Sequence, residues 1–197
     1  MSLKLKIIIG STRPGRIGPK VADWVAAAAG ENGAFDVDVV DLAEVGLPLL
    51  DEPKHPAMQA YEHDHTKRWS AIVDEADAFV FVTPEYDGFP PAALVNALQA
   101  LVVEWNYKPA AIVSYGGVSG GMRSGDVLRS LVGGLKMMAL PGFVPVPFVW
   151  NHFDDNGDLV PNEPMKDGAA QTLAELAKWA TALKPMRSAD AQEAAAA

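Results

Sequence analysis

Short apolar runs alternate along the chain with stretches whose apolar residues recur at helical spacing. Leu5 to Ile9 is β-branched and ends at Gly10, which predicts a strand. Ile17 to Ala29 carries Val21, Trp24, Val25 and Ala28 on one stripe, which predicts a helix. Phe35 to Leu42 alternates apolar residues with Asp36 and Asp38, the pattern of a strand near a sheet edge. Leu47 to Met58 is Pro-rich and reads as irregular. Gln59 to Glu75 reads as a polar helix. Ala78 to Val82 and Ala110 to Val113 are continuous apolar runs, expected of strands buried on both faces. Helices are predicted over Pro91 to Trp105, Gly121 to Met138 and Ala169 to Leu183. Phe143 to Trp150 reads as a last strand, at an edge because of Pro145 and Pro147. Asn151 to Asp167 reads as a polar loop, and residues 186–197 as a disordered, Ala-rich tail.

Strands alternating with helices imply right-handed crossovers and a five-stranded parallel sheet covered by helices on both faces, a three-layer α/β sandwich. Residues 1–185 form one domain in this reading, with no repeat and no linker. Such folds bind ligands beyond the carboxyl ends of their strands, where strand order reverses. The segments after Gly10, Val82 and Val113 therefore hold the candidate chemistry.

The first is Gly10-Ser-Thr-Arg-Pro-Gly-Arg-Ile-Gly18, with two hydroxyls, two guanidinium groups and three glycines before a helix. A helix N-terminus presents free N–H groups and partial positive charge, and arginine adds fork-shaped donors, so a phosphate is the natural occupant. A Walker A loop is excluded, because Arg16 and Ile17 stand where Lys and Ser or Thr are needed. A dinucleotide fingerprint is excluded for want of a glycine at position 12. The alternative is a strand-to-helix turn with solvated arginines. The second is Thr83-Pro-Glu-Tyr-Asp-Gly-Phe-Pro-Pro91, whose prolines stiffen the backbone. It reads either as a rigid reader of a planar ring edge or as a structural turn with Tyr86 packed on the next helix. The third, Ser114-Tyr-Gly-Gly-Val-Ser-Gly-Gly121, has four glycines in eight residues, and backbone this open lets a flat group approach. Tyr115 is expected to stack on that group; a mobile glycine loop is the alternative.

Other patterns are set aside. His63 and His65 are expected on different helix faces, so no metal site is predicted there. Asp154, Asn156 and Asp158 imitate a calcium loop, but Leu159 and Met165 stand where Gly and Glu are required. Trp24, Trp69, Trp105 and Trp179 are expected in the core or a subunit interface.

The chain has 197 residues, 16 basic and 25 acidic, for a net charge of −9. That excludes general nucleic-acid binding and charge-held membrane attachment. The absence of cysteine excludes disulfides, thiol nucleophiles and Cys-held metal clusters. With no signal-peptide pattern and no apolar stretch of spanning length, a cytoplasmic protein is expected.

Taken together, the motifs resemble the NAD(P)H-dependent FMN reductases, flavodoxin-like quinone and azo-dye reductases. The resemblance rests on Gly10-Ser-Thr-Arg13, Thr83-Pro-Glu-Tyr86, Pro91-Ala-Ala-Leu-Val-Asn-Ala97, Glu104-Trp105 and Lys108-Pro-Ala-Ala-Ile-Val-Ser-Tyr-Gly-Gly117. It spans about residues 4 to 150 and implies a flavodoxin-like fold with one non-covalent FMN. By the same likeness, Ser11, Arg13, Arg16, Ile17 and Gly18 would hold the FMN phosphate. Pro84, Glu85, Tyr86 and Asp87 would line the isoalloxazine edge, and Tyr115, Gly116 and Gly117 would close its third side. Electrons would pass from NADPH or NADH through FMN to a small-molecule acceptor: a quinone, azo dye, metal oxyanion or free flavin. No catalytic acid or base is expected from the chain. A homodimer or homotetramer is implied, built partly on the apolar helix from Pro91 to Trp105. The chain departs from the family at Arg16, commonly Ser, at Gly18, commonly Asn, and at Asp87, usually Asn. A carboxylate at position 87 would add negative charge near the ring. A flavodoxin-type electron carrier is the competing reading, disfavoured by the two arginines in the first loop.

Overall fold

The computed structural model describes residues 2–196, with side chains described as far as Arg187. Of the tail expected to be disordered, residues 186–196 continue the last helix, with side chains described only to Arg187.

Strands β1 (Leu3–Ile9), β2 (Phe35–Asp41), β3 (Ala78–Pro84), β4 (Pro109–Tyr115) and β5 (Met138–Val146) form one sheet, all pairs parallel, in the order β2-β1-β3-β4-β5. Helices α1 (Gly18–Asn32) and α6 (Glu163–Ala196) cover one face. The single turn α2 (Leu42–Val45), with α3 (Asp64–Asp74), α4 (Ala92–Gln99) and α5 (Met122–Gly134), covers the other. The sheet splits its apolar residues by alternation: Ile7, Ile9, Val80 and Val82 face α1 and α6, while Ile8, Phe79 and Phe81 face α3 to α5. Every residue of β3 and β4 is buried, as their unbroken apolar runs require. β2 lies at the edge, its Asp36 exposed.

Several boundaries differ from the sequence reading: α3 starts at Asp64 instead of Gln59, α6 runs to Ala196 instead of Leu183, and the others differ for local reasons. The helix expected from Pro91 to Trp105 stops at Gln99, and Val103–Trp105 is a separate 3-10 turn. The buried C-terminal carbonyls of α4 are satisfied by indoles: Trp69 Nε1 donates to Ala97 O at 2.8 Å and Trp105 Nε1 to Leu98 O at 3.1 Å. These rings pack edge-on at 5.9 Å between centroids. Leu94, Leu98, Leu101 and Trp105 are fully buried in the chain's own core, so the apolar stripe that suggested a subunit seam is used within the chain. The helix read as running to Met138 ends at Gly134, because Lys136 takes a left-handed φ of 55° and starts β5 early. β5 closes at Val146 instead of Trp150, and Val149–His152 forms a 3-10 turn. α6 begins at Glu163, six residues ahead of the expected Ala169. Its start signal is the Asn162 side chain, which accepts the Met165 N–H at 3.0 Å, with Pro164 in the first turn. His63 and His65 were expected on different faces; instead their rings stack at 5.2 Å.

The amino ends of the strands carry an ion network. Lys6 of β1, almost fully buried, donates to Asp38 at 2.6 Å and to Glu75 at 2.9 Å, and Glu75 also pairs with Lys4. Hydrogen bonds from Lys4 and Lys6 hold the Glu75 carboxyl down at about 2. Burial pushes the neighbouring Asp77 carboxyl up, but hydrogen bonds from Lys184 and the Lys4 N–H, with the Arg187 charge, leave it below its ordinary value. A depressed carboxyl stabilises the fold above its unfolded value and loses that contribution as pH falls through the folded one. Stability should therefore decline as pH drops from about 4.5 to about 2. Acid titration of the unfolding free energy tests this, and Glu75→Gln should make the decline shallower.

Candidate functional site

Three loops converge at the carboxyl ends of β1, β3 and β4. In the first, Ser11 is fully buried and its Oγ meets the Tyr86 hydroxyl at 2.8 Å, tying the first loop to the second. Thr12 to Gly15 are exposed, and the Arg16 N–H closes a turn on Arg13 O at 3.1 Å. α1 then begins with Ile17 as N-cap, no side-chain cap, Pro19 in the first turn and no acidic residue there. Its first N–H groups and its dipole are thus left for an outside anion. Arg13 is exposed beside this helix end. Arg16 is committed in part: its guanidinium pairs with Asp41, whose other oxygen caps α2 by accepting the Ala43 N–H at 2.9 Å. The Arg16 Nε is buried with no hydrogen-bond partner. A buried N–H of a charged group left unpaired is costly, and a phosphate oxygen at this helix end would satisfy it. The residues present therefore fit a phosphate group.

The second loop leaves β3 at Pro84, held by Thr83, whose Oγ1 lies 3.1 Å from the buried Ser124 Oγ. Glu85 turns toward the third loop. Its Oε2 accepts the Ser119 hydroxyl at 3.0 Å and the Arg123 N–H at 3.1 Å, so it caps α5 from outside the helix. Tyr86 and Phe89 exchange two backbone hydrogen bonds of 2.9 Å around Asp87 and Gly88, whose φ angles are 52° and 85°. This is a type I′ turn, which favours Asn or Asp at its first central position. Asp87 is exposed at the tip, so the turn itself accounts for an acidic or amide residue there.

In the third loop, the structure places Tyr115 differently from the expectation of a stacking ring. It is 4% exposed and packs in the core on the α1 side of the sheet. Its hydroxyl sits under Gly18, where an added β-carbon would come within 2.9 Å of it. A glycine stands at 18 because Tyr115 fills the space. Burial raises the phenol well above its ordinary value; Tyr86 adds to this and Arg16 opposes it. The backbone of the third loop is tied down in turn: Gly116 O accepts the Val149 N–H at 3.1 Å and Gly117 O the Phe148 N–H at 2.9 Å. The segment after β5 is thereby folded against the third loop.

The structure thus brings Ser11, Arg13, Arg16, Ile17 and Gly18 together at one helix end. Pro84, Tyr86, Gly116 and Gly117 lie on the loops beside it. Glu85 and Tyr115 turn their side chains to structural partners. Sequence reasoning missed Asp41 and Ser124, of which only Asp41 carried a signal, as an acid closing a strand before a capped turn.

A sequence profile described as NADPH-dependent FMN reductase matches residues 3–151. The chain belongs to this family. Among its relatives, an NAD(P)H-dependent FMN reductase of Schizosaccharomyces pombe is 44% identical over 140 residues, 70% of either chain. One from Saccharomyces cerevisiae is 40% identical over 152 residues, covering 71% of this chain and 78% of its own. In structure, a flavoenzyme NAD(P)H:(acceptor) oxidoreductase from Paracoccus denitrificans superposes with a TM-score of 0.71 at 17% identity. It covers 91% of this chain and 97% of its own, a likeness of fold. Family membership makes the protein an oxidoreductase that uses FMN and reduced pyridine nucleotide, and the flavodoxin-type carrier reading falls away. The departures at Arg16 and Gly18 now have local reasons: one is braced by Asp41, the other underlain by Tyr115.

Proposed function

We propose that this chain holds FMN with its phosphate on the Ser11–Gly18 loop and its ring against Pro84 to Asp87 and Gly116–Gly117, and that it reduces a small-molecule acceptor, a quinone foremost. The observation that carries this reading is the uncapped N-terminus of α1 beside Arg13 and the unpartnered Arg16 Nε. When bound, FMN supplies a ring that accepts two electrons from NADPH or NADH and passes them on. The chain's own residues bind and orient. Arg13 and the α1 N–H groups neutralise the phosphate. The Ser11–Tyr86 bond fixes the first loop against the second, and Glu85 fixes the second against the third. Relatives named as a 2-hydroxy-1,4-benzoquinone reductase from Burkholderia and a quinone reductase from Pseudomonas putida support the acceptor class. Steady oxidation of NADPH or NADH dependent on added quinone is the expected result; no turnover with any quinone, azo dye or ferricyanide contradicts it.

No helix among the described residues is long and apolar enough to cross a membrane. We place the protein in the cytoplasm, where reduced pyridine nucleotide is made. For assembly we propose a homodimer. The exposed apolar surface that supports it is the segment at Leu49 and Leu50, tethered to α4 by Asn96 through Pro48 O at 2.8 Å and the Leu50 N–H at 2.9 Å. Light scattering at micromolar concentration should give twice the chain mass, and Leu49→Ser with Leu50→Ser should reduce it to one.

A further inference from the structure

Phe148 is a bulky residue in the left-handed region, at φ 46° and ψ 50°. Such backbone is costly for a side chain of this shape and persists only where surrounding structure holds it. Here the Phe148 N–H donates to Gly117 O at 2.9 Å, and Phe148 O accepts the Asn151 N–H at 2.8 Å. The strain does not serve the core. Phe148 is 43% exposed, and its ring packs edge-on, 5.9 Å between centroids, against Trp150, which is 60% exposed. The Trp150 ring edge in turn lies against Gly117, whose β-carbon, if it had one, would be 3.7 Å from Trp150 Cη2. Val118, next in the same loop, is 77% exposed. Strained backbone thus holds two aromatic faces open to solvent beside the loop that closes the flavin site.

We infer that Phe148 and Trp150 form the binding wall for a flat, uncharged aromatic acceptor of the quinone class. This rests on the oxidoreductase reading above and adds the residues that select the acceptor. An uncharged ring fits this wall better than the pyridine nucleotide does. The nucleotide carries phosphates that need cationic partners, and Phe148, Trp150 and Val118 offer none. Stacking against aromatic side chains is sensitive to ring area and indifferent to redox chemistry.

The test compares Trp150→Ala and Phe148→Gly with the wild type, using a naphthoquinone and ferricyanide as alternative acceptors. KM for the naphthoquinone should rise about tenfold in each variant, as loss of a stacking partner implies. KM for ferricyanide, which is not planar, and KM for NADPH should stay within about twofold. Phe148→Gly should also leave thermal stability unchanged or raised, since glycine relieves the left-handed strain. An equal rise for both acceptors, no rise for either, or a rise only for NADPH overturns the proposal. So does a fall in assembly mass, which would make the pair a subunit contact. Naphthoquinone binding by equilibrium dialysis keeps the two readings separable. If the wild type does not oxidise NADPH, the functional reading fails, yet weaker naphthoquinone binding by Trp150→Ala still supports the wall, and equal binding overturns it.

Discussion

Gly121→Ala should lower the melting temperature by about 6–12 °C. Gly121 has φ +80°, and its β-carbon would lie 2.7 Å from Tyr115 N and 2.8 Å from Tyr115 O. Both atoms belong to the backbone at the end of β4, which neighbouring β3 and β5 hold in register. Neither can retreat without breaking the sheet edge that carries the site. Left-handed backbone costs a non-glycine residue roughly 1–2 kcal/mol, and forced overpacking roughly 1–3 kcal/mol, so about 3 kcal/mol together. The control lies in the helix that Gly121 precedes. Gly133 of α5 has nothing within 4 Å of its would-be β-carbon and no positive φ. Gly133→Ala should be neutral or stabilise by up to about 1 kcal/mol, from helix propensity alone. Thermal melts of the two variants give opposite signs if the third loop is pinned as described. A Gly121→Ala melt within error of the wild type contradicts it.

Arg13→Ala should weaken FMN binding by roughly ten- to a hundred-fold, the value of a charge-assisted hydrogen bond of about 1.5–3 kcal/mol. Riboflavin, which has the same ring and no phosphate, should lose less than about twofold. Arg13 is the clean probe because it is exposed and lies outside the core. Arg16→Ala would also strip Asp41 of its partner, leaving a mostly buried carboxylate, and so would mix a stability loss with the affinity loss. Fluorescence titration with both ligands separates the outcomes. Equal losses for FMN and riboflavin would show that the loop does not hold the phosphate.

The parallel sheet was legible because β3 and β4 are unbroken apolar runs and each strand is followed by a helical period. The loops were legible because glycine and proline crowd the segments after β1 and β3 and glycine the segment after β4, with two arginines in the first. Other features are tertiary and leave no local mark. The end of α4 is set by an indole from α3, on the far side of a strand in sequence. Glu85 looks like a ligand residue in sequence, yet it caps a helix that begins 37 residues later, at Met122. The orientation of Tyr115 was in the pattern. It stands two residues beyond Val113 and four beyond Ala111, and all three face α1 and α6. The period of two therefore directed its ring inward, against the expectation of a stacking platform. The strain at Phe148 could not be read at all, since a proline-flanked apolar run looks like strand whichever way its last residues turn.

Anaerobic titration of the FMN-loaded protein with NADPH, then NADH, followed in the visible flavin absorbance, tests the central claim most directly. The account predicts bleaching by at least one nucleotide at equimolar amounts, and full return of the absorbance when a quinone is added. A flavin band that neither nucleotide bleaches, in protein that binds FMN tightly, would contradict it and leave a flavin carrier in place of a reductase.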